Sequence, residues 1–196
     1  MSELHNQNNF APTDTTDFRE RLEWHSNYSE PEARLGITID AAYIGAVFVL
    51  VVAFFLILWL GYPKKWFGIS DRQYTPIFFY GLAWLSGTLG GTLFDLKWLY
   101  HSVAKGWWNL DRRLWRIFTP HISGGLSFAV IALMSAGVIR VFDSAAIKSS
   151  YPTVVGIGFL VGYFSDSAIA KLSELADTLF GVLRKGPRNA PHDREK

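Results

Sequence analysis

The residue types that most often carry chemistry are few and scattered in this sequence. There is no cysteine, and the five histidines lie far apart. The chain has no His-Glu-x-x-His zinc motif, no Gly-x-Ser-x-Gly nucleophile elbow and no phosphate loop ending in Gly-Lys-Ser/Thr. The stretch GIGFLVG at 156–162 lacks the spacing of a dinucleotide loop. The sequence therefore predicts a protein that is not an enzyme and has no catalytic residue, cofactor or metal site.

Polar side chains close to apolar stretches are the remaining candidates. His121 and Ser123 lie near the start of one such stretch, Asp95 ends another, and Asp166 follows a third. Because a polar group inside a membrane segment is a functional candidate by default, we consider these four for pore lining or gating. Each also has a structural interpretation. His121 can bond a carbonyl freed by Pro120, and Asp95 can emerge at the membrane surface beside the arginines of the following loop.

Four apolar stretches predict an all-α polytopic membrane protein. They cover residues 41–62, 76–94, 117–141 and 152–164. About 20 apolar residues are needed to cross about 30 Å of hydrocarbon, so the last stretch, with 13 residues, is short for a full span. Residues 165–185 then place Ile169, Leu172 and Leu179 on one face, which predicts an amphipathic helix on the membrane surface or at an oligomer contact.

This pattern divides the chain into four parts. Residues 1–34 are polar and are expected to form a mobile tail, with a short amphipathic helix after Thr15. The four-helix transmembrane domain covers 35–164, the amphipathic helix 165–185, and a disordered tail 186–196. No cleavable signal peptide is visible, so the first hydrophobic helix is expected to act as an uncleaved insertion signal. Asp40, at its entry, is interpreted as a helix N-terminal group at the interface.

Glycines at helical spacing occur in the second and fourth stretches. Gly87 and Gly91 are four residues apart, as are Gly158 and Gly162, and Gly90 lies beside the first pair. Small residues at this spacing let two membrane helices approach closely. We therefore expect these glycines to pack helices together and to support a homo-oligomer.

The basic residues favour one orientation. If four helices cross the bilayer, ten of them fall on the side of the termini and five on the other side. The first set is Arg19, Arg21, Arg34, Lys105, Arg112, Arg113, Arg116, Arg184, Lys185 and Arg188, and the second is Lys64, Lys65, Arg72, Arg140 and Lys148. The positive-inside rule predicts cytoplasmic termini.

The segment GWWNLDRRLWR at 106–116 is expected to lie on the cytoplasmic surface of the membrane. Its tryptophans suit the headgroup layer, and Lys105, Arg112, Arg113 and Arg116 form a rim for lipid phosphate or a protein partner. The predicted partners are membrane lipids, a second copy of the chain and a soluble cytoplasmic protein. No feature indicates nucleic acid.

Three segments taken together resemble a family of functionally uncharacterised bacterial membrane proteins with four helices. They are GTLGGTLFDLKWLYHSVAKG, WNLDRRLWRIFTPHISGGLSFAVIALMSAGVI and VVGIGFLVGYFSDSAIAKLSELADTLFG, and the resemblance extends over about residues 86–181, roughly half of the chain. The shared order is a Gly-rich helix, an aromatic and basic connector, a Pro-containing helix, and Phe-Ser-Asp before Ala-x-x-Lys-Leu. The resemblance implies this architecture and a location in the bacterial inner membrane.

Two functions fit these features. The leading hypothesis is a non-enzymatic, self-associating membrane protein that acts as an anchor or sensor for a partner or lipid. The alternative is an oligomeric ion channel or membrane-permeabilising effector, for example in bacterial defence. A third, an intramembrane enzyme using His121 or Asp95, lacks a recognisable nucleophile and base held together.

Overall fold

The computed structural model of the chain describes residue 28, residues 30–139 and residues 150–181, without the side chains of 179 and 180. The helices are α1 (Pro31–Trp59), α2 (Tyr62–Phe67), α3 (Asp71–Ala104), α4 (Arg113–Ser135), α5 (Tyr151–Tyr163) and α6 (Ser165–Phe180), with a 3₁₀ turn at Leu110–Arg112. The all-α prediction is confirmed for the described residues, which contain no strand. The predicted helix after Thr15 and the predicted disordered tail lie outside them.

Within the described residues, three helical segments are long and apolar enough to cross a membrane. They are Pro31–Trp59, Asp71–Ala104 and Leu110–Ser135, and α5 with α6 makes a fourth only if this pair, bent by 98°, is taken as one span. Large apolar side chains on α1, such as Val49, Leu50 and Phe54, are more than half exposed. A hydrocarbon solvent would accept this surface, whereas monomeric soluble proteins rarely expose contiguous patches of this kind.

The helix boundaries differ from the expected ones at the charged ends of the apolar stretches. α1 begins at Pro31, inside the predicted tail 1–34, because proline suits the first turn of a helix, where its missing N–H is not needed. Asp40 therefore lies about two and a half turns inside α1 and is not an N-terminal group. α4 begins at Arg113, so part of the predicted surface connector is helical.

α3 is the central helix and packs against α1, α4 and α5. Apolar side chains of all four helices form the core, which includes Leu58, Phe79, Leu82, Ala83, Val130, Ile131, Met134 and Val154. Successive long helices run in opposite directions. The start of α1, the end of α3, the start of α4 and the break between α5 and α6 therefore meet at one end, which we call the basic end.

Candidate functional site

A buried ion cluster at the basic end is centred on Asp40. Its Oδ1 lies 2.9 Å from Arg113 Nε, and its Oδ2 lies 2.7 Å from Arg116 Nη2. Trp108 Nε1 also donates to Oδ2, at 3.0 Å. Asp40 is 4% exposed and Arg116 is 2% exposed. One carboxylate thus ties α4 and the loop before it to α1. Because the pair is buried, removing either charge would leave the other without compensation.

Backbone carbonyls complete the surroundings of the two arginines. Arg116 Nη2 donates to the Asn109 carbonyl at 3.0 Å, and Arg113 Nη2 donates to the Gly36 carbonyl at 3.3 Å. The Arg116 guanidinium also lies 5.6 Å from the centre of the Trp108 ring. A Cβ on residue 36 would lie 2.6 Å from the Trp108 ring, so the indole can reach the carboxylate only because glycine is present. The loop and α1 are fitted closely here.

Asp95 is a second buried carboxyl at this end, and it differs from Asp40. It is fully buried, and neither of its oxygens has a hydrogen-bond partner among the described residues. Arg116 and Tyr43 are near enough to interact with it electrostatically. Arg116 Nε is likewise buried and without a hydrogen bond in the described part. The expectation that Asp95 emerges at the membrane surface is wrong, because α4 and α1 cover it.

The four candidates for pore lining or gating do not come together. Asp95 and Ser123 are interior, whereas Asp166 is exposed at the start of α6. His121 is also exposed and points to α1, where its Nε2 lies 3.1 Å from the Tyr43 hydroxyl. That hydroxyl also donates to the carbonyl of Ile117, whereas the carbonyl freed by Pro120 is that of residue 116. In the part of the chain that the structure describes, no continuous polar line joins His121 to Asp166.

The expected basic rim divides into two groups. Arg112 is exposed, and the Lys105 ammonium lies 5.0 Å from the centre of the Trp107 ring. Arg113 and Arg116 instead hold Asp40, so Arg116 is an interior residue and not part of a lipid-facing rim. The reason is helical position, because residue 116 lies two turns before Ser123, on the face of α4 that packs against α3.

The candidate packing glycines lie at contacts within one chain. Gly87 and Gly91 face Ser127 and Ser123 of α4, and Gly90 faces the α5 backbone at Phe159 and Tyr163. In return, Gly158 faces Ser86, and Gly162 faces the backbone of Gly87. A side chain on any of them would collide with α3, α4 or α5. Their surfaces are therefore occupied within one copy, and self-association through them is not supported.

An open groove of 780 Å³ lies at the outer side of the basic end. Its walls are aromatic, and its charged groups come from α3, the 3₁₀ turn and α6. The lining residues are Phe94, Lys97, Trp98, His101, Asp111, Arg112, Trp115, Tyr163, Phe164 and Asp166. The Phe94 ring lies 5.9 Å from the Trp115 ring and 5.8 Å from the Tyr163 ring, both edge-on, which fixes the floor of the groove.

No protein-family model, curated protein sequence or solved structure matches this chain. The geometry of the described residues is therefore the basis for a function. Two features of this geometry bear on function. The buried Asp40 cluster holds the basic end together, and the groove leaves charged and aromatic side chains accessible to a ligand.

The sequence interpretation missed the roles of three residues at this end. Asp40 is the centre of the ion cluster, Trp108 donates a hydrogen bond to it, and Tyr43 contacts His121. A usable signal was present. Charged residues flank three consecutive apolar stretches on the same predicted side of the membrane, at Asp40, at Asp95 and at Arg113 with Arg116. Antiparallel neighbouring helices bring such flanks together, so opposite charges there are natural partners.

Proposed function

We propose that the chain is a non-enzymatic integral membrane protein that acts as a membrane anchor or sensor, with the basic end as its recognition surface for a lipid or protein partner. The observation that carries this proposal is the 98° bend between α5 and α6, which turns α6 nearly perpendicular to α5. We place the basic end on the cytoplasmic side of a bacterial inner membrane, as the positive-inside rule favours.

The two faces of α6 support an interfacial position. Ala168, Leu172 and Leu175 line an apolar groove of 590 Å³ together with residues of α4 and α5. Lys171 also lines this groove, and it forms an exposed ion pair at 2.8 Å with Glu174, which does not line the groove. A helix with one apolar and one charged face is stable at the boundary between headgroups and acyl chains. There it can respond to lipid composition or present its polar face to a soluble protein.

The channel alternative receives less support. The contacts of Gly87, Gly90 and Gly162 close the space between α3 and its neighbours, so the pore of an oligomeric channel would have to lie between copies, and no feature of the described residues marks such a contact. We therefore keep the anchor or sensor as the proposal.

Membrane crossing can be tested with single cysteines, because the chain has none. Phe54, Trp66 and Leu110 are similarly exposed, at 54%, 65% and 54%. In cells, we expect a membrane-impermeant maleimide to label Trp66→Cys from outside and Leu110→Cys only after permeabilisation. Phe54→Cys should stay unlabelled until the protein is denatured, because lipid covers it. Equal labelling of Phe54→Cys and the other two in intact membranes would contradict the proposal.

The position of α6 can be tested with a matched pair of alanines. Ala176 is half-buried and Ala170 is exposed, and the two lie on different sides of the helix. With an environment-sensitive fluorophore on Ala176→Cys, we expect quenching by nitroxides on lipid tails. The same fluorophore on Ala170→Cys should be quenched by aqueous iodide. A sensor further predicts that the Ala176→Cys emission changes with the lipid composition of the vesicles. Iodide quenching at both positions in every composition would reject an interfacial α6.

A further inference from the structure

The groove at the basic end has a mixed charge that a simple anion site would not need. Lys97, Arg112 and His101 stand beside two acids, Asp111 and Asp166. In the part of the chain that the structure describes, no ion pair joins any of these acids to any of these bases. Acidic and basic groups therefore face the same cavity while remaining free to bind a ligand with both charges.

A second groove continues the first one along α4. It has a volume of 350 Å³ and is lined by Leu114, Phe118 and Ile122, which are spaced four residues apart, and by Ile169 of α6. Trp115 and Asp166 line both grooves, so the two adjoin. The second groove is mainly apolar and runs from the charged end toward the middle of the bundle, where Ser123 packs against α3.

We propose that the two grooves together hold one phospholipid whose headgroup carries both a phosphate and an ammonium, such as phosphoethanolamine. The phosphate would contact Lys97 and Arg112, which donate charge-assisted hydrogen bonds. The ammonium would donate hydrogen bonds to the carboxylates of Asp111 and Asp166. The aromatic walls beside it would add a cation–π attraction. One acyl chain would lie along Phe118 and Ile122. This inference rests on the proposed function and names the ligand class.

The charged side chains suit this role because, among the described residues, no ion pair occupies them. Arg112 and Asp111 are exposed and lie next to each other in the 3₁₀ turn, and Asn109 fixes this turn by accepting a bond from the Asp111 N–H at 3.0 Å. The Lys97 ammonium is held toward the groove by the Tyr163 hydroxyl at 3.3 Å. Substituting Arg112 or Asp111 breaks no contact of the bundle itself, so the variants should fold.

The test is native mass spectrometry of the full chain in detergent with defined diacyl lipids. We expect wild-type protein to retain phosphatidylethanolamine about tenfold better than phosphatidylglycerol of the same chain length, because only the former offers an ammonium to the acids. Arg112→Gln should weaken retention of both lipids. Asp111→Asn and Asp166→Asn should weaken phosphatidylethanolamine alone and remove the preference. Arg72→Gln, an exposed arginine at the opposite end, is the matched control and should change nothing.

Soluble competitors separate the lipid from its fragments. Inorganic phosphate should not displace phosphatidylethanolamine, because it fills neither the acidic side nor the apolar groove. Phe118→Ser should weaken the diacyl lipid. Equal retention of both lipids with no effect of the aspartate variants, or displacement by inorganic phosphate, would overturn the proposal. Either result would leave the labelling of Phe54→Cys and the quenching on α6 unchanged, so it would not be confused with failure of the membrane proposal.

Discussion

Replacing Asp40 by asparagine is expected to lower the free energy of unfolding by about 3–5 kcal/mol, because it leaves buried Arg116 without its anion. Asparagine has nearly the same shape and can still accept the bond from Trp108 Nε1. The loss therefore comes from the charge. Since globular proteins are stable by only about 5–15 kcal/mol, such a loss is a large share of the total. Denaturant unfolding in mixed micelles, followed by tryptophan fluorescence, measures it.

Asp71→Asn is the matched control for this substitution. Asp71 forms an ion pair with Lys64 at the other end of the bundle, but its side chain is 85% exposed. Surface ion pairs are worth about 0–1 kcal/mol, so this variant should unfold close to wild type. Similar effects of Asp40→Asn and Asp71→Asn would show that the Asp40 cluster is not desolvated and would contradict the account of the basic end.

Two further variants identify the source of the effect. Arg116→Met, added to Asp40→Asn, should restore part of the stability, because it removes the charge that was left alone. Asp95 is the other carboxyl near Arg116 and could take over as its partner. We therefore expect Asp40→Asn to be more harmful in an Asp95→Asn background, where no such replacement exists. Additive effects in both combinations would exclude a shared ion cluster.

The sequence was sufficient to predict the long helices, but it predicted neither their ends nor the short helix α2. An uncharged run such as 41–62 reports where hydrocarbon would contact the chain, and a helix is free to continue beyond it. α1 does so by starting at Pro31, and α3 does so by reaching Ala104, since tertiary contacts at the basic end hold these extensions. The uncharged runs therefore predicted where the apolar stretches lie, whereas the residues at which the helices begin and end depended on packing.

The partners of the polar residues were harder to predict for a related reason. Whether Arg116 faces lipid or the interior depends on the rotation of α4 about its own axis. Knowing the residue at which a helix starts does not reveal that rotation. The glycines show the same limit. Their spacing predicted close helix approach, but it does not distinguish a second copy from another helix of the same chain, and here the partner is α3 for Gly162 and α5 for Gly90.

Gly162→Ala is the second substitution with a large expected effect. A Cβ on residue 162 would collide with the backbone of Gly87, which cannot move aside as a flexible side chain would. Overpacking typically costs about 1–3 kcal/mol, and contact with backbone places this case at the upper end. The variant should unfold at lower denaturant concentration, and Gly162→Leu should not reach a folded state in the membrane.

Gly156→Ala supplies the control on the same helix. A Cβ at residue 156 would meet nothing within 4 Å. Alanine is favoured over glycine in a helix by about 0.8–1.0 kcal/mol, so this variant should be as stable as wild type or slightly more stable. Gly162→Ala and Gly156→Ala make the same chemical change six residues apart. The first is expected to lower the free energy of unfolding, and the second to leave it unchanged or raise it slightly.

The Gly162→Ala variant also shows whether the glycines of α3 and α5 pack helices within one chain or join two copies of the chain. If Gly162 packs α5 onto α3 within one chain, its substitution lowers the stability of a single copy at any protein concentration. If these glycines instead joined two copies, the substitution would dissociate an oligomer and leave the unfolding of the monomer unchanged. Measuring unfolding at several ratios of protein to detergent separates the two outcomes, because only association depends on that ratio. Loss of stability independent of this ratio is the result that the contacts of Gly162 predict.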